Sequence, residues 1–172
     1  MMRAIFAIGL LVASLGVTFA QTQPQPPPLV IERIDITEYG IYTADTDNSS
    51  AAPGTASGTV DQLSGIALVQ STTAVPARLG VGFGFRYKIV GKPNAVVSLK
   101  NVTHVPAPGM RNPETGNVTL TNIFLQDRKV GGEFYRLYRF TNAWEIVPGL
   151  WTLELWYGDR KLLSQGFLIK KQ

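Results

Sequence analysis

One imidazole and no thiol set narrow limits on the chemistry open to this chain. His104 is the single histidine and cysteine is absent from the 172 residues. A nucleophilic triad needs an imidazole base held by a carboxylate, and no G-x-S-x-G elbow presents a serine to it. His104 is therefore expected as a loop or strand-end side chain. A zinc site takes three or four nitrogen and sulfur ligands, which one His without Cys does not supply. The missing thiols also remove redox couples and cysteine nucleophiles. No catalytic residue, metal or cofactor is assigned from these residues.

Asp45-Thr46-Asp47-Asn48 has the opening of a calcium loop. However, Ser50 stands where the turn glycine belongs, and Ala56 where the bidentate glutamate belongs. A polar surface loop is the better account. Gly80-x-Gly82-x-Gly84 is no phosphate cradle, because such a loop leaves a strand and opens a helix. These glycines instead lie within a strand-like run with aromatics between them. Carboxylates elsewhere are isolated in sequence, which leaves open a dispersed glycosidase-type pair.

Arg3 followed by the uncharged run Ala4–Val12, with Thr18-Phe19-Ala20 before Gln21, has the pattern of a secretory signal peptide over residues 1–20. An uncleaved anchor is the alternative, at the short edge of a membrane span. Gln21–Pro28 is Pro/Gln-rich and reads as an extended tether. Residues 29–172 form the candidate domain, large enough to fold without disulfides. Its cations are scattered in ones and twos, and the alternating Arg136 and Arg139 are expected on a solvated face. That dispersal argues against nucleic acid as a partner. No later segment reaches membrane-spanning length.

From Leu29 onward the pattern is strand after strand. In Val81–Val90, Phe83, Phe85, Tyr87 and Ile89 share one face, with Gly82, Gly84, Arg86 and Lys88 on the other. Glycines opposite an aromatic row predict close approach of another backbone, or a bulge. Leu150–Tyr157 repeats the alternation with Trp151, Leu153, Leu155 and Tyr157. Six further runs are Val30–Tyr42, Val60–Gln70, Ala95–Thr103, Val118–Gln126, Phe134–Thr141 and Leu162–Ile169, separated by turn residues. Eight short strands without crossover helices predict an all-β, antiparallel, immunoglobulin-like β-sandwich. A closed barrel is the other solution.

If each strand reverses the last, Ser71–Leu79, His104–Asn117 and Asn142–Gly149 share one end of the sandwich. That pole gathers Arg78, His104, Met110, Arg111, Glu114, Trp144 and Glu145 among several prolines, a candidate recognition surface on a rigid frame. Trp144 and Val147 also suit a plug for the end of the core. Thr43–Ser57, long and built of small and polar residues, is expected at the opposite pole as a mobile segment.

Several segments resemble the exported bacterial family known as domain of unknown function 3859. They are Glu38–Tyr42, Ala52–Thr55, Arg78–Tyr87, Asn112–Gly116 and, most specifically, Trp144–Trp151 with Tyr157–Leu162. The resemblance spans nearly all of the candidate domain. It implies an exported all-β protein and brings no activity or site residues with it. The function expected is a non-catalytic binding or assembly module of the periplasm or cell envelope with a protein partner. The alternatives are a glycan binder using Trp156, an envelope hydrolase with dispersed carboxylates, and a purely structural packing protein.

Overall fold

The computed structural model describes residues 30–171. The expected signal peptide (1–20) and tether (21–28) lie outside them. Eleven strands form: β1 (Ile31–Ala51), β2 (Thr59–Gln70), β3 (Ala74–Pro76), β4 (Gly82–Gly91), β5 (Val96–His104), β6 (Met110–Arg111), β7 (Val118–Thr119), β8 (Thr121–Lys129), β9 (Glu133–Arg139), β10 (Gly149–Tyr157) and β11 (Arg160–Lys170). A 3-10 turn covers Ala143–Glu145. No helix among the described residues is long and apolar enough to cross a membrane.

Two sheets pack face to face, in the orders β2-β1-β4-β9 and β3-β11-β10-β5-β8, with β6-β7 as a separate small hairpin. Every pairing is antiparallel except the short β3–β11 contact. The hydrogen-bonded order stops at β8 in one sheet and at β9 in the other, so a sandwich forms and the barrel does not.

The core follows the alternation read from β4 and β10. Phe83, Phe85, Tyr87 and Ile89 meet Trp151, Leu153, Leu155, Phe167 and Ile169, all of them essentially inaccessible. Phe83 packs edge-on to Trp151 at 5.8 Å between ring centres, a preferred aromatic geometry. The Trp151 indole N–H donates to the Val147 carbonyl at 2.7 Å, so burial leaves no orphan donor. Trp144 is half-buried against the same core beside the buried Val147. Gly84 lies opposite Gly40 on β1 and Leu137 on β9. A Cβ at Gly84 would sit 2.0 Å from the Arg136 carbonyl oxygen, at a φ of +154°. Glycine there is a condition of the β4–β9 spacing.

One expectation fails at β1. Thr43–Ala51 is strand, and it leaves the sheet at the end where β4 begins and β9 finishes, since Tyr42 pairs with Gly82 and Gly82 with Arg139. This is the end of the Ser71–Leu79 and Asn142–Gly149 loops. The segment pairs with Thr59–Ala67 to make a two-stranded arm, with register shifts at Ile41/Tyr42, Thr43/Asp45 and Thr46/Asn48. Such bulges bend and twist a ribbon, and here the arm crosses to the other sheet. Its tip is docked there: Ile123 N–H donates to Gly54 O at 2.7 Å. Ala56 N–H donates to Asn122 Oδ1 at 2.8 Å, and Asn112 Nδ2 donates to Ala56 O at 3.0 Å. Side-chain amides and a free strand edge supply what the small, polar tip lacks in apolar anchorage.

Candidate functional site: a groove beneath the arm

The sandwich is open along one side, where β8 and β9 are the last strands of their sheets. Inward positions there turn polar. On β5, Asn101 and Thr103 continue the inward row begun by Val97 and Leu99. Opposite them on β8 stand Phe124 and Asn122, preceded in the same row by Gln126 and Arg128. On β9 the inward row is Phe134, Arg136 and Tyr138, paired with Tyr87, Phe85 and Phe83. Arg136 is thus not on the solvated face expected of it: it points between the sheets and is 4% exposed. The register leaves no other option, because Phe134 and Tyr138 must face the core. Arg139 points the other way and holds the root of the arm, donating to Ala44 O and Thr46 Oγ1.

Fastened at root and tip, the arm roofs this open side and leaves a groove under it. Around Arg136 the cavity measures about 160 Å³ and is lined by Thr55, Ser57, Asp61, Thr103, Asn122 and Glu145 among others. Past Arg136 and Phe124 it opens along β8 and β9 into a wider space of about 450 Å³. Arg136 Nη2 donates to Thr103 Oγ1 and Nη1 to Leu137 O, and the guanidinium lies 5.0 Å from the Phe124 ring centre. Its Nε is buried without a partner, as is Asn101 Oδ1. Burial brings the Arg136 guanidinium down to about 10. Burial pushes the Tyr138 phenol up, reinforced by the Glu145 charge.

The acidic side chains of the groove are already committed. Glu145 takes hydrogen bonds from the Thr141 and Asn142 backbones and side chains and so holds the turn after β9. Glu133 pairs with Arg86 at 2.6 Å, and Asp61 accepts from Ser49. Among the described residues no carboxylate lies within ion-pair distance of Arg128, Arg136 or Arg139. The groove therefore holds Arg128, Arg136 and Arg139 without an ion-pair partner, beside the Asp61 and Glu145 carboxylates, which are hydrogen-bonded to neutral groups.

The model of a domain of unknown function, DUF3859, matches residues 31–169. The chain belongs to this family. A crystal structure of an immunoglobulin-like protein from Pseudomonas aeruginosa is similar to it, at 27% identity and a TM-score of 0.57. The likeness covers 80% of this chain and 97% of that one. No curated protein matches. The DUF3859 domain is thus an immunoglobulin-like sandwich, as its strand pattern implied. Two of the segments that carried the resemblance, Ala52–Thr55 and Asn112–Gly116, adjoin at the docked arm tip of this domain.

Of the seven residues gathered at the pole, only Glu145 lines the DUF3859 groove, and Met110 is buried in the core. Arg78 is exposed on the turn before β4. Arg111 and Glu114 are exposed on the β6–β7 hairpin, where Arg111 Nη1 donates to Gly116 O at 3.1 Å and Asn112 Oδ1 accepts from the Glu114 N–H. Trp144 packs on the core.

His104 belongs to the outer face of the five-stranded sheet. There its Nε2 lies 3.3 Å from Glu154 Oε2 and its Nδ1 3.4 Å from Thr121 Oγ1. Glu154 is buried although it faces outward. Burial pushes its carboxyl up, but hydrogen bonds from Lys161, Trp156 and His104 outweigh that and hold it below its ordinary value. The Trp156 ring, the candidate sugar platform, has Lys100 Nζ at 4.9 Å and Lys161 Nζ at 5.5 Å from its centre. These lysines come from the strands on either side, so the ring faces are already occupied by cations.

Sequence reasoning missed the groove. Its signal was present in the polar residues that share register with apolar inward rows, Arg136 with Phe134 and Tyr138, and Asn101 and Thr103 with Val97 and Leu99.

Proposed function

We propose that this DUF3859 protein is a non-catalytic, exported binding module of the periplasm or cell envelope, and that its groove receives an extended segment of a protein partner. One observation carries the reading: a cavity between two unjoined edge strands, roofed by an arm that is fastened at root and tip. A free strand edge offers main-chain hydrogen bonds to an extended chain, and flanking pockets select its side chains. Export is supported by the Ala4–Val12 run and the Thr18–Ala20 processing pattern. A protein ligand is favoured over a glycan because Trp156 is flanked by two lysines. A non-catalytic role is favoured because Glu145, Glu133 and Asp61 are bound to neighbours.

The Thr121–His104–Glu154 chain is the one arrangement that favours the hydrolase alternative. It lies on an open sheet face, its hydrogen bonds are long, and Glu154 is shared with Lys161, Trp156 and Ser164. Esterase turnover by the wild type that disappears in His104→Ala would revive that alternative.

The test is affinity capture from envelope extracts of the protein's own host. Val60 lines both parts of the groove, so Val60→Trp places an indole in it, whereas Arg78→Ala and Arg111→Ala alter the exposed pole. Loss of captured protein in Val60→Trp alone is the expected result. Identical capture by wild type and Val60→Trp refutes a groove-bound partner.

A further inference from the structure

We infer that the cavity at Arg136 is a carboxylate-binding site, a conclusion that rests on the proposed groove and names the group it recognises. Arg136 uses two of its guanidinium hydrogen bonds inside the protein, keeps a buried Nε without a partner, and has no carboxylate at ion-pair distance among the described residues. A buried charge without a counter-ion is costly, and buried polar atoms are ordinarily satisfied by protein, water or ligand. The missing counter-charge is met by an anion at the remaining Nη–H donors, in the adjoining 160 Å³ cavity that Arg136 lines. That space exceeds the share of a single water, about 30 Å³, several times over, so it admits the head of an aspartate or glutamate side chain.

The chemistry selects a carboxylate over a phosphate. The planar guanidinium matches a carboxylate edge in a paired geometry. Asn122 adds a neutral amide donor to the cavity wall, whereas the Thr55 and Ser57 hydroxyls already donate to the Ala52 and Thr59 carbonyls. Asp61 and Glu145 share its wall, and their charges repel a dianion about twice as strongly as a monoanion. The lowered guanidinium of Arg136 accords with an unfilled counter-charge position. The carboxylate comes either from an acidic side chain of the bound segment or from a small free acid.

Arginine-labelled protein titrated at constant ionic strength separates these sources by the Arg136 Nε–H resonance. The probes are acetate, the blocked tripeptide Ac-Ala-Glu-Ala-NH2, its Gln counterpart, and chloride. Saturable movement with acetate and with the Glu peptide, and none with the Gln peptide or chloride, is expected. A Glu peptide that binds about tenfold or more tighter than acetate assigns the source to a protein segment, and equal or weaker binding assigns it to a free acid. Arg136→Met should lower affinity at least about tenfold, while Arg111→Gln leaves it unchanged. If Arg136→Met does not fold, the wild-type resonance decides alone. Movement that is absent, or equally large with chloride, overturns the site. Carboxylate binding combined with unchanged capture in Val60→Trp leaves this site standing and removes the proposed function. Lost capture with an unresponsive Arg136 does the reverse.

Discussion

Replacing Arg136 by Met tests whether this arginine serves the fold or a ligand. A guanidinium brought by burial to about 10 from its ordinary 12.5 carries a penalty on the order of 3 kcal/mol in the folded state. Met removes that penalty. It also removes the hydrogen bonds to Thr103 Oγ1 and Leu137 O, each worth roughly 1.5 kcal/mol from a charged donor. Its unbranched stem fills similar volume, and its sulfur can replace the guanidinium against Phe124. The terms cancel, so Arg136→Met should fall within about 1 kcal/mol of wild type, or about 2–4 °C in Tm. Urea unfolding followed by tryptophan fluorescence gives the comparison, with an unchanged slope expected. A loss of about 3 kcal/mol or more, typical of breaking a buried pair, would show that Arg136 is a structural keystone with an internal counter-charge.

Three further outcomes follow from the same contacts. Gly84→Ala forces a methyl to 2.0 Å from the Arg136 carbonyl oxygen and should cost about 3 kcal/mol or more. Gly158→Ala, with nothing within 4 Å of its added methyl, should cost about 1 kcal/mol for its left-handed φ alone, and equal thermal shifts for the two would contradict the close approach. Asn122→Ala frees the Ala56 amide at the arm tip, and local opening should rise about 5–30-fold, for about 1–2 kcal/mol. Unaltered hydrogen exchange over residues 52–58 would show that the tip is held otherwise. Glu154 is held below its ordinary value in the folded state, so its ionised form stabilises above the unfolded value near 4.5 and this contribution fades as pH falls. Glu154→Gln should therefore be about 1 kcal/mol less stable than wild type at pH 7, with the gap closing towards pH 3, and a constant gap in urea melts would refute the assignment.

Strand order and loop placement show where sequence patterning loses its power. Alternation placed Phe83 to Ile89 and Trp151 to Leu155 on core faces because side chains on a strand alternate by geometry alone. It also carried the information that Arg136 shares a face with Phe134 and Tyr138. Polarity alone sends an arginine to solvent, whereas register and the cost of exposing two aromatics send it inward. Thr43–Ser57 misled for a related reason. Its small, polar residues have little strand propensity, and the partner that stabilises them, Thr59–Ala67, is supplied by tertiary pairing. The pole residues were gathered by counting reversals, which fixes an end of the sandwich but not the side on which a side chain emerges. His104 accordingly emerged on an outer sheet face beside Glu154, fifty residues away.

What the sequence determined by itself is local. It excluded thiol chemistry and multi-histidine metal sites, and it set eight of the strands and the buried faces of two of them, β4 and β10. Membership of DUF3859 was readable in contiguous segments. Only the tertiary structure decided that β8 and β9 are left unjoined, that a bulged arm crosses from one sheet to the other, and that a buried arginine without a counter-ion lies beneath it. Bulge direction, edge exposure and charge pairing depend on groups far apart in the chain, and periodicity has no term for them.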